Sequence, residues 1–290
     1  MAQHVHIDFD TIFALLENGV RRADVFMGLG LNASEHQPAI SHVLAHQGPK
    51  IELVKEELTA EERDAVGVEF GKWIRAAGLR ELLETFQLFL TRVYNALHVV
   101  HQIRGPLTDK TLVAPSRFER LGLSAQALEL QKLVDVSNEQ LEILQSLNQA
   151  RNCYAHRRGL VGTKDVDPVT GIFSLKWLTL IIEAVEPNGN VVSGDALFGY
   201  HFTEGAVVRV RVDLGVSQFH AGEELVIAKS DLKQICLCVR SIGAAIWQAA
   251  FDVAIKAGVQ LVPKATPEIE PSLPNGQDDD IATTTVTDDF

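Results

Sequence analysis

A long apolar stripe between residues 79 and 104 decides the fold class more than any other part of this chain. Gly105 and Pro106 end it, because proline lacks the backbone N–H that another helical turn needs. A face of this width must pack against other helices, so the sequence predicts a mainly α fold. Its large apolar side chains recur mostly at helical spacings of three and four: Leu82, Leu83, Phe86, Phe89, Leu90, Val93, Leu97 and Val100.

Two further helices are predicted before the stripe. An N-cap at Asp10 predicts a short helix that ends near Gly19. Thr59 and Glu62 form a capping-box pattern, which opens a second helix that is predicted to end at Gly78. Glycine is taken as the end of both helices because it is the residue most enriched just past a helix C-terminus.

The segment after the stripe also has well-marked helix ends. Ser124 is predicted to cap a helix that runs to Asp135. Ser137 and Gln140 form a second capping-box pattern, and Gly159 stands where a C-terminal glycine belongs. The helix between them is therefore predicted with defined bounds on both sides.

Beyond Gly159 the apolar pattern changes from helical to alternating. Residues 172–185 are rich in β-branched and large apolar side chains, and residues 187–190 (Pro-Asn-Gly-Asn) have hairpin-turn chemistry. Residues 206–214 alternate valine with charged side chains, and residues 224–228 predict one more short strand. The pattern predicts an inserted antiparallel hairpin or small sheet.

A closing helix is predicted from Ser230 to about Ala257, which gives a plan of helices, a β insertion and a last helix. The predicted regions are an N-terminal helical region at 1–78, a helical domain at 79–261 with the β insertion at about 160–229, and an acidic tail at 262–290.

The tail carries much of the negative charge of the chain. It holds seven acidic residues, one lysine and four prolines, with few large apolar side chains. Such a segment cannot bury enough surface to offset the entropy of ordering, so it is predicted to be disordered. It contributes six of the twelve net negative charges of the 290 residues, so the remaining body is only mildly acidic.

Cysteine content and hydropathy predict a soluble cytoplasmic protein with no membrane association. Three cysteines (Cys153, Cys236, Cys238) cannot form a closed set of disulfides, which favours a reducing compartment. The sequence has no uninterrupted run of 18 apolar residues, and the first ten residues do not resemble a secretory signal.

No metal and no cofactor are predicted. His42 and His46 have the spacing of two ligands on one helix face, but Val43 stands where the zincin pattern needs glutamate. His98 and His101 also share a helix face, where a polar surface is the simpler interpretation. Cys236 and Cys238 are two residues apart and therefore diverge on a helix, which favours a place in the core.

One cluster remains, on the last two turns of the helix that ends at Gly159. Asn152 and His156 are four residues apart and share one helix face, whereas Arg151 and His156 are about 140° apart. Arg157 and Arg158 follow directly. By composition alone, the arginines are explained as cations at a helix C-terminus.

The sequence Arg-Asn-Cys-Tyr-Ala-His at 151–156 resembles the signature of the HEPN superfamily, in which an arginine is followed, after four to six residues, by a histidine. Asparagine often comes directly after that arginine, as Asn152 does here. The predicted β insertion and closing helix also resemble some branches of the superfamily, and the resemblance covers about residues 79–257.

The resemblance implies a helical bundle that dimerises and places the Arg and His of both chains at a two-fold axis. It implies a metal-independent endoribonuclease with RNA as partner, in a bacterial defence or toxin–antitoxin setting. A protein partner or antitoxin is a further expectation. Arg151, Asn152 and His156 would be catalytic, and Arg157 and Arg158 would bind RNA.

Two alternatives stay open. The chain could be a non-catalytic HEPN-like module for protein interaction or regulation, or a helical dimer in which the motif is a coincidence. In addition, toxins paired with a nucleotidyltransferase have tyrosine two residues after the histidine, and Arg158 occupies that position here. Neutralisation by modification of that tyrosine is therefore not implied.

Overall fold

Helices and one small sheet make up the part of the chain that the structure, a computed structural model, describes: residues 6–36, 57–197 and 199–260. The mainly α class and the small antiparallel sheet are confirmed. The predicted His42–His46 pair and the predicted disordered tail at 262–290 lie outside the described residues. In chain order the elements are α1 (Phe9–His36), α2 (Ala60–Arg104), α3 (Pro115–Phe118), α4 (Leu123–Leu130), α5 (Asn138–Arg157), β1 (Ile172–Val185), β2 (Val191–Ser193), β3 (Val207–His220) and α6 (Lys229–Lys256).

The first two helices continue through the glycines at which they were predicted to end. α1 is 28 residues long and continues past Gly19, and α2 is 45 residues long and continues past Gly78. A Cβ atom on Gly19 would lie 2.0 Å from Cγ2 of Thr85, and one on Gly78 would lie 2.1 Å from Cγ of Met27. These glycines let α1 and α2 approach closely. The predicted helix ends there are wrong, and the predicted boundary between residues 78 and 79 falls inside α2.

Two predicted caps are also corrected. α1 begins one residue before Asp10, and its first turn is closed by Asp8, which accepts from the backbone N–H of Thr11 at 2.9 Å. α4 begins at Leu123 without a side-chain cap and ends at Leu130, so Ser124 lies inside it. The capping boxes at Thr59 and Ser137 are both confirmed, with each pair of reciprocal hydrogen bonds present.

The sheet has the order β2–β1–β3, and β1 forms antiparallel pairs on both sides. β1 has the predicted bounds and pairs with β3 along all 14 residues without a bulge, from Ile172–His220 to Val185–Val207. β3 begins at Val207 and continues six residues beyond the predicted end. The predicted strand at 224–228 is wrong, because that segment forms only an isolated bridge between Leu160 and Glu224.

A single apolar core joins the helices to the end of the sheet where β1 begins. The stripe residues of α2 are all buried, as predicted, and meet α1, α4, α5 and α6. From the sheet, Phe173, Leu175 and Trp177 enter the same core. The described residues up to Val259 form one compact unit, which holds α5 firmly from several sides.

α6 closes the core, begins one residue before the predicted Ser230 and buries Cys236 and Cys238 as predicted. Among the described residues it is the one helix whose length and apolar composition would suffice to cross a membrane. However, 44% of its most apolar stretch is buried inside the fold, and core helices of soluble proteins pass the same test. The predicted cytoplasmic location and absence of membrane association stay predictions.

Candidate functional site

The candidate site lies at the C-terminal end of α5, which the core positions. Ser137 caps the helix at its start, and the buried side chains Ile143, Leu144, Leu147 and Ala150 fasten one face to the bundle. The helix ends at Arg157, within one residue of the predicted end. All five residues singled out by the sequence motif therefore lie on its last two turns or directly after it.

The helix ends in an unusual backbone conformation at Arg158. This residue has φ 53° and ψ 33°, the left-handed region, and is the one non-glycine residue with positive φ among those described. Its N–H donates to the carbonyl of Tyr154 at 3.1 Å, and Gly159, with φ 85°, donates to that of Cys153 at 3.3 Å. Arg158 therefore occupies a position that favours glycine, and its side chain is exposed.

His156 is exposed on the last turn of α5. Within the described part of the chain its ring has no hydrogen bond and no ion pair, so both ring nitrogens are open to a ligand. Asn152 is partly exposed one turn earlier, and helix geometry places the two side chains about 40° apart on one face. The predicted neighbourhood of Asn152 and His156 is thus present.

Arg151 lies on another side of the helix and is partly buried. One terminal nitrogen donates to Oδ1 of Asn148 at 2.9 Å, and Nε is buried without a hydrogen-bond partner among the described residues. It makes no hydrogen bond with His156. A single copy of the chain therefore does not bring the guanidinium and the imidazole together.

Arg157 turns inward and forms an ion pair with Asp165, whose side chain is only 6% exposed. The second carboxylate oxygen of Asp165 accepts from the backbone N–H of Gly162 at 2.8 Å, and the backbone carbonyl of Asp165 accepts from Gln149. Arg157 thus ties the loop after α5 to the helix. Its predicted contact with RNA stays a prediction. One terminal nitrogen is engaged by Asp165, whereas Nε is buried without a hydrogen-bond partner among the described residues.

Asp165 is the residue that sequence reasoning missed at this end of α5. Its N–H donates to the carbonyl of Gly162 at 2.9 Å while its carboxylate binds the N–H of the same glycine. The glycine and the aspartate three residues later mark a turn only by composition, since both residue types are common in turns. The partner arginine could not be assigned from it, because three arginines precede that turn within 14 residues.

Tyr154 and Cys153, inside the motif, belong to the core. The Tyr154 hydroxyl donates to the carbonyl of Leu225 at 2.7 Å, and burial raises its pKa above the ordinary value. Burial likewise raises the pKa of the Cys153 thiol, which donates to the carbonyl of Leu160. These two side chains anchor the helix end and are not available as acids, bases or nucleophiles.

Two clefts flank α5, and His156 lines neither of them. A cleft of about 550 Å³ runs between α1, α2 and the segment at 224–226, with Tyr154 in its wall. A more polar cleft of about 480 Å³ lies between α5 and the loop that carries Asp165. The open surface at His156 therefore suits a long polymer better than an enclosed small molecule.

Within the ranges that the structure describes, no group of three His, Cys, Asp or Glu side chains is arranged to hold a metal. His98 and His101 stack with their ring centroids 6.4 Å apart, and Nδ1 of His101 accepts from the backbone N–H of Leu107 at 3.0 Å. Desolvation lowers the pKa of His98, and the neighbouring His101 lowers it further. The ring stacking and the hydrogen bond from Leu107 give these two histidines a structural role.

Comparisons with protein-family models, with curated proteins and with solved structures found no match to this chain.

Proposed function

We propose that this protein is a metal-independent endoribonuclease of HEPN type. The observation that carries the proposal is the position of His156, exposed and unengaged within the described residues on the last turn of α5 and one turn from Asn152. The motif, the defined helix end and the β insertion that follows agree with the resemblance. The remaining support comes from the chemistry that these side chains can perform.

His156 acts as the general base in this mechanism. Imidazole exchanges protons near neutral pH, so it can take the proton of an RNA 2′-hydroxyl. The freed oxygen attacks the adjacent phosphorus, and the bond from phosphorus to the 5′-oxygen breaks. A protonated imidazole, that of His156 on a second copy, gives its proton to the 5′-oxygen. The products are a 2′,3′-cyclic phosphate and a 5′-hydroxyl.

Arg151 stabilises the charge that builds on the phosphoryl oxygens, because a guanidinium presents a planar fork of donors to phosphate. In one chain it points away from His156, so the site is proposed to be composite, with Arg151 and His156 of two copies at a two-fold axis. Asn152 orients His156 or contacts phosphate. Arg158, exposed at the helix end, adds attraction to the RNA backbone.

A non-catalytic interaction module is the second candidate, and the contacts that Arg151 and Arg157 make within the chain favour it. Arg151 donates to Asn148 and Arg157 is paired with buried Asp165, so both guanidinium groups have structural partners within the chain. A module that had lost catalysis would keep such contacts. The exposed His156, without a hydrogen-bond partner among the described residues, would then have no catalytic role.

RNA cleavage by the purified full chain distinguishes the two candidates. Total RNA is incubated with the wild type, with His156→Ala and with Arg151→Ala, each in the presence of EDTA. We expect cleavage to persist in EDTA and to fall by about 10²-fold or more in each variant, because each removes a group that acts in the transition state. The new ends should be 2′,3′-cyclic phosphates.

Lys164→Ala, on the exposed loop after α5, is the matched control, and it should cleave like the wild type. Thermal unfolding of all variants shows whether lost cleavage reflects lost folding. Equal cleavage by wild type and both site variants would point to another site or to a contaminant and would overturn the proposal.

A further inference from the structure

Among the residues that the structure describes, β3 is an edge strand whose outer side has no partner strand in the sheet. It pairs only with β1, on one side, and the order β2–β1–β3 leaves its other side open along 14 residues. Natural proteins protect such edges with proline, lysine, bulges or short strands. β3 contains no proline and no lysine, pairs without a bulge and is long. An edge of this kind is a template for another strand.

The hydrogen-bonding direction of β3 follows from its partner. The N–H groups of Leu178 and Leu180 in β1 donate to Sγ of Cys238 and Oε1 of Gln234, away from β3. In an antiparallel pair, the residues opposite these even-numbered ones also point their backbone groups away. The backbone N–H and C=O groups of the even-numbered β3 residues therefore face the open edge: Val208, Val210, Val212, Leu214 and Val216. The N–H of Leu214 already donates to Oδ1 of Asp213 at 2.9 Å, and it must exchange that acceptor when a second strand pairs.

The side chains of the same residues form an exposed aliphatic row. Val208 and Val210 are each 66% exposed, Val212 is 55% exposed, and Leu180 and Ile182 of β1 lie on the same face. On the opposite face β3 presents Arg209, Arg211 and Asp213. A strand that pairs with this edge must therefore match aliphatic side chains on one face and charges on the other.

The sequence of β3 is complementary to itself in one register. With a two-fold axis at Val212, two antiparallel β3 strands set Val212 opposite Val212, Val210 opposite Leu214 and Val208 opposite Val216. On the other face, Arg211 of each copy then lies opposite Asp213 of its mate. Within one chain Arg211 and Asp213 already form an ion pair at 2.7 Å, and Arg211 also pairs with Glu183 at 3.3 Å. Arg211 and Asp213 are both about half exposed, so the charges can exchange partners across the two-fold axis. Cross-strand pairs of opposite charge and of aliphatic side chains stabilise antiparallel sheets.

Neighbouring registers lack this complementarity. A two-fold axis at Arg211 sets two arginines opposite each other, and an axis at Asp213 sets two aspartates opposite each other. Like charges directly opposite one another destabilise a strand pair. The register centred on Val212 also places its outward N–H and C=O groups opposite those of its mate, as a hydrogen-bonded pair requires.

We infer that the open edge of β3 binds β3 of a second copy of this chain, antiparallel, with the two-fold axis at Val212. The two sheets then become one, in the order β2–β1–β3–β3–β1–β2. The surface lies on β3 and not at the end of α5, so this inference does not need the proposed ribonuclease site. That site has its own two-fold axis, so a chain that uses both contacts assembles beyond a dimer, and crosslinking at Val212 reports the β3 contact alone.

Crosslinking of the full chain tests the register. Cα atoms of a hydrogen-bonded antiparallel pair are about 5.5 Å apart, within reach of a short bifunctional thiol reagent. We expect Val212→Cys to give a covalent dimer with dibromobimane. Val208→Cys, at a position somewhat more exposed than Val212, is the matched control; it lies about 27 Å from its own mate in this register and should not crosslink. The native cysteines are buried, and burial raises the pKa of Cys236 to about 12 and that of Cys238 to about 11.

Sedimentation of Val212→Pro tests the edge itself. The N–H of Val212 points outward and is not used by β1, so proline there is compatible with the chain's own sheet. The dimer loses two symmetric hydrogen bonds, and we expect its Kd to rise by about tenfold or more. Val212→Thr retains the N–H and should dimerise like the wild type. Circular dichroism confirms that the variants are folded.

A wild-type chain that sediments as a monomer at micromolar concentration would overturn the inference. A dimer that survives Val212→Pro and does not crosslink through Val212→Cys would also overturn it, because the copies would then meet elsewhere or by stacking of the aliphatic faces. Crosslinking through Arg211→Cys but not Val212→Cys would overturn the register.

Discussion

Arg158 joins backbone strain and positive charge in one exposed residue. Its left-handed conformation costs an L-residue about 1–2 kcal/mol relative to a helical or extended one, whereas glycine adopts it freely. A cation in this place without an ion-pair partner among the described residues is consistent with a role in binding an anion. Stability and RNA affinity can therefore be separated at this position.

Arg158→Gly is predicted to raise the free energy of unfolding by about 0.5–1 kcal/mol while it weakens RNA binding. Denaturant unfolding measures the first effect. Filter binding at several salt concentrations measures the second, and the slope of log affinity against log salt should fall by about one per chain. An unchanged RNA affinity in this more stable variant would exclude Arg158 from the RNA-binding surface.

Arg157, unlike Arg158, is predicted to contribute to stability. Its replacement removes the partner of a buried carboxylate, so Arg157→Ala should destabilise the protein. Reduced RNA binding by that variant would therefore not identify a contact. The two adjacent arginines are alike in sequence, and only their backbone conformation and the position of Asp165 distinguish them.

At the scale of elements, close packing explains why α1 and α2 are longer than predicted. A glycine inside a helix costs about 1 kcal/mol relative to alanine, so a glycine in the sequence favours a helix end. In the structure, Gly19 and Gly30 face Thr85 and Ile74 of α2 at distances that leave no room for a Cβ atom. Contact between the helices offsets the local cost, and the sequence alone does not show which glycines have such a neighbour.

Gly19→Ala and Gly28→Ala, both in α1, should change stability in opposite directions. At Gly19 the new Cβ would lie 2.0 Å from Thr85, so we expect a loss of about 3 kcal/mol from overpacking. At Gly28 nothing lies within 4 Å, so alanine should stabilise the helix by about 0.5–1 kcal/mol. Urea unfolding monitored by circular dichroism measures both. Equal effects of the two substitutions would contradict the close approach at Gly19.

At the scale of the whole molecule, the proposed site needs two chains. Arg151 and His156 make no hydrogen bond within one copy, and their angular separation on α5 is set by the helix. A composite site makes a specific prediction, because an intact Arg151 on one chain can then act with an intact His156 on the other.

Mixing inactive His156→Ala with inactive Arg151→Ala should restore part of the RNA cleavage, once the subunits have exchanged. Half of the dimers in an equal, randomly exchanged mixture combine one chain of each kind, and each of these has one Arg151 facing one His156. Each mixed dimer still lacks the second His156, which donates the proton to the 5′-oxygen, so the recovery should stay well below wild-type cleavage. Mixing either variant with the double variant is the control and should restore nothing. No recovery after demonstrated subunit exchange would contradict a site in which one His156 and the Arg151 of the other chain suffice for residual cleavage.

Local signals in the sequence determined the α-helical class, both capping boxes, the bounds of β1 and the buried stripe of α2. They also placed the motif residues on the last turns of α5. These features depend on residues a few positions apart, so a short window contains their cause. Tertiary structure decided that α1 and α2 run through their glycines, that Arg157 binds Asp165, and that β3 is left with an open edge. Each of these depends on a neighbour distant in sequence or brought close by a turn, and packing selects that neighbour only after the local elements have formed.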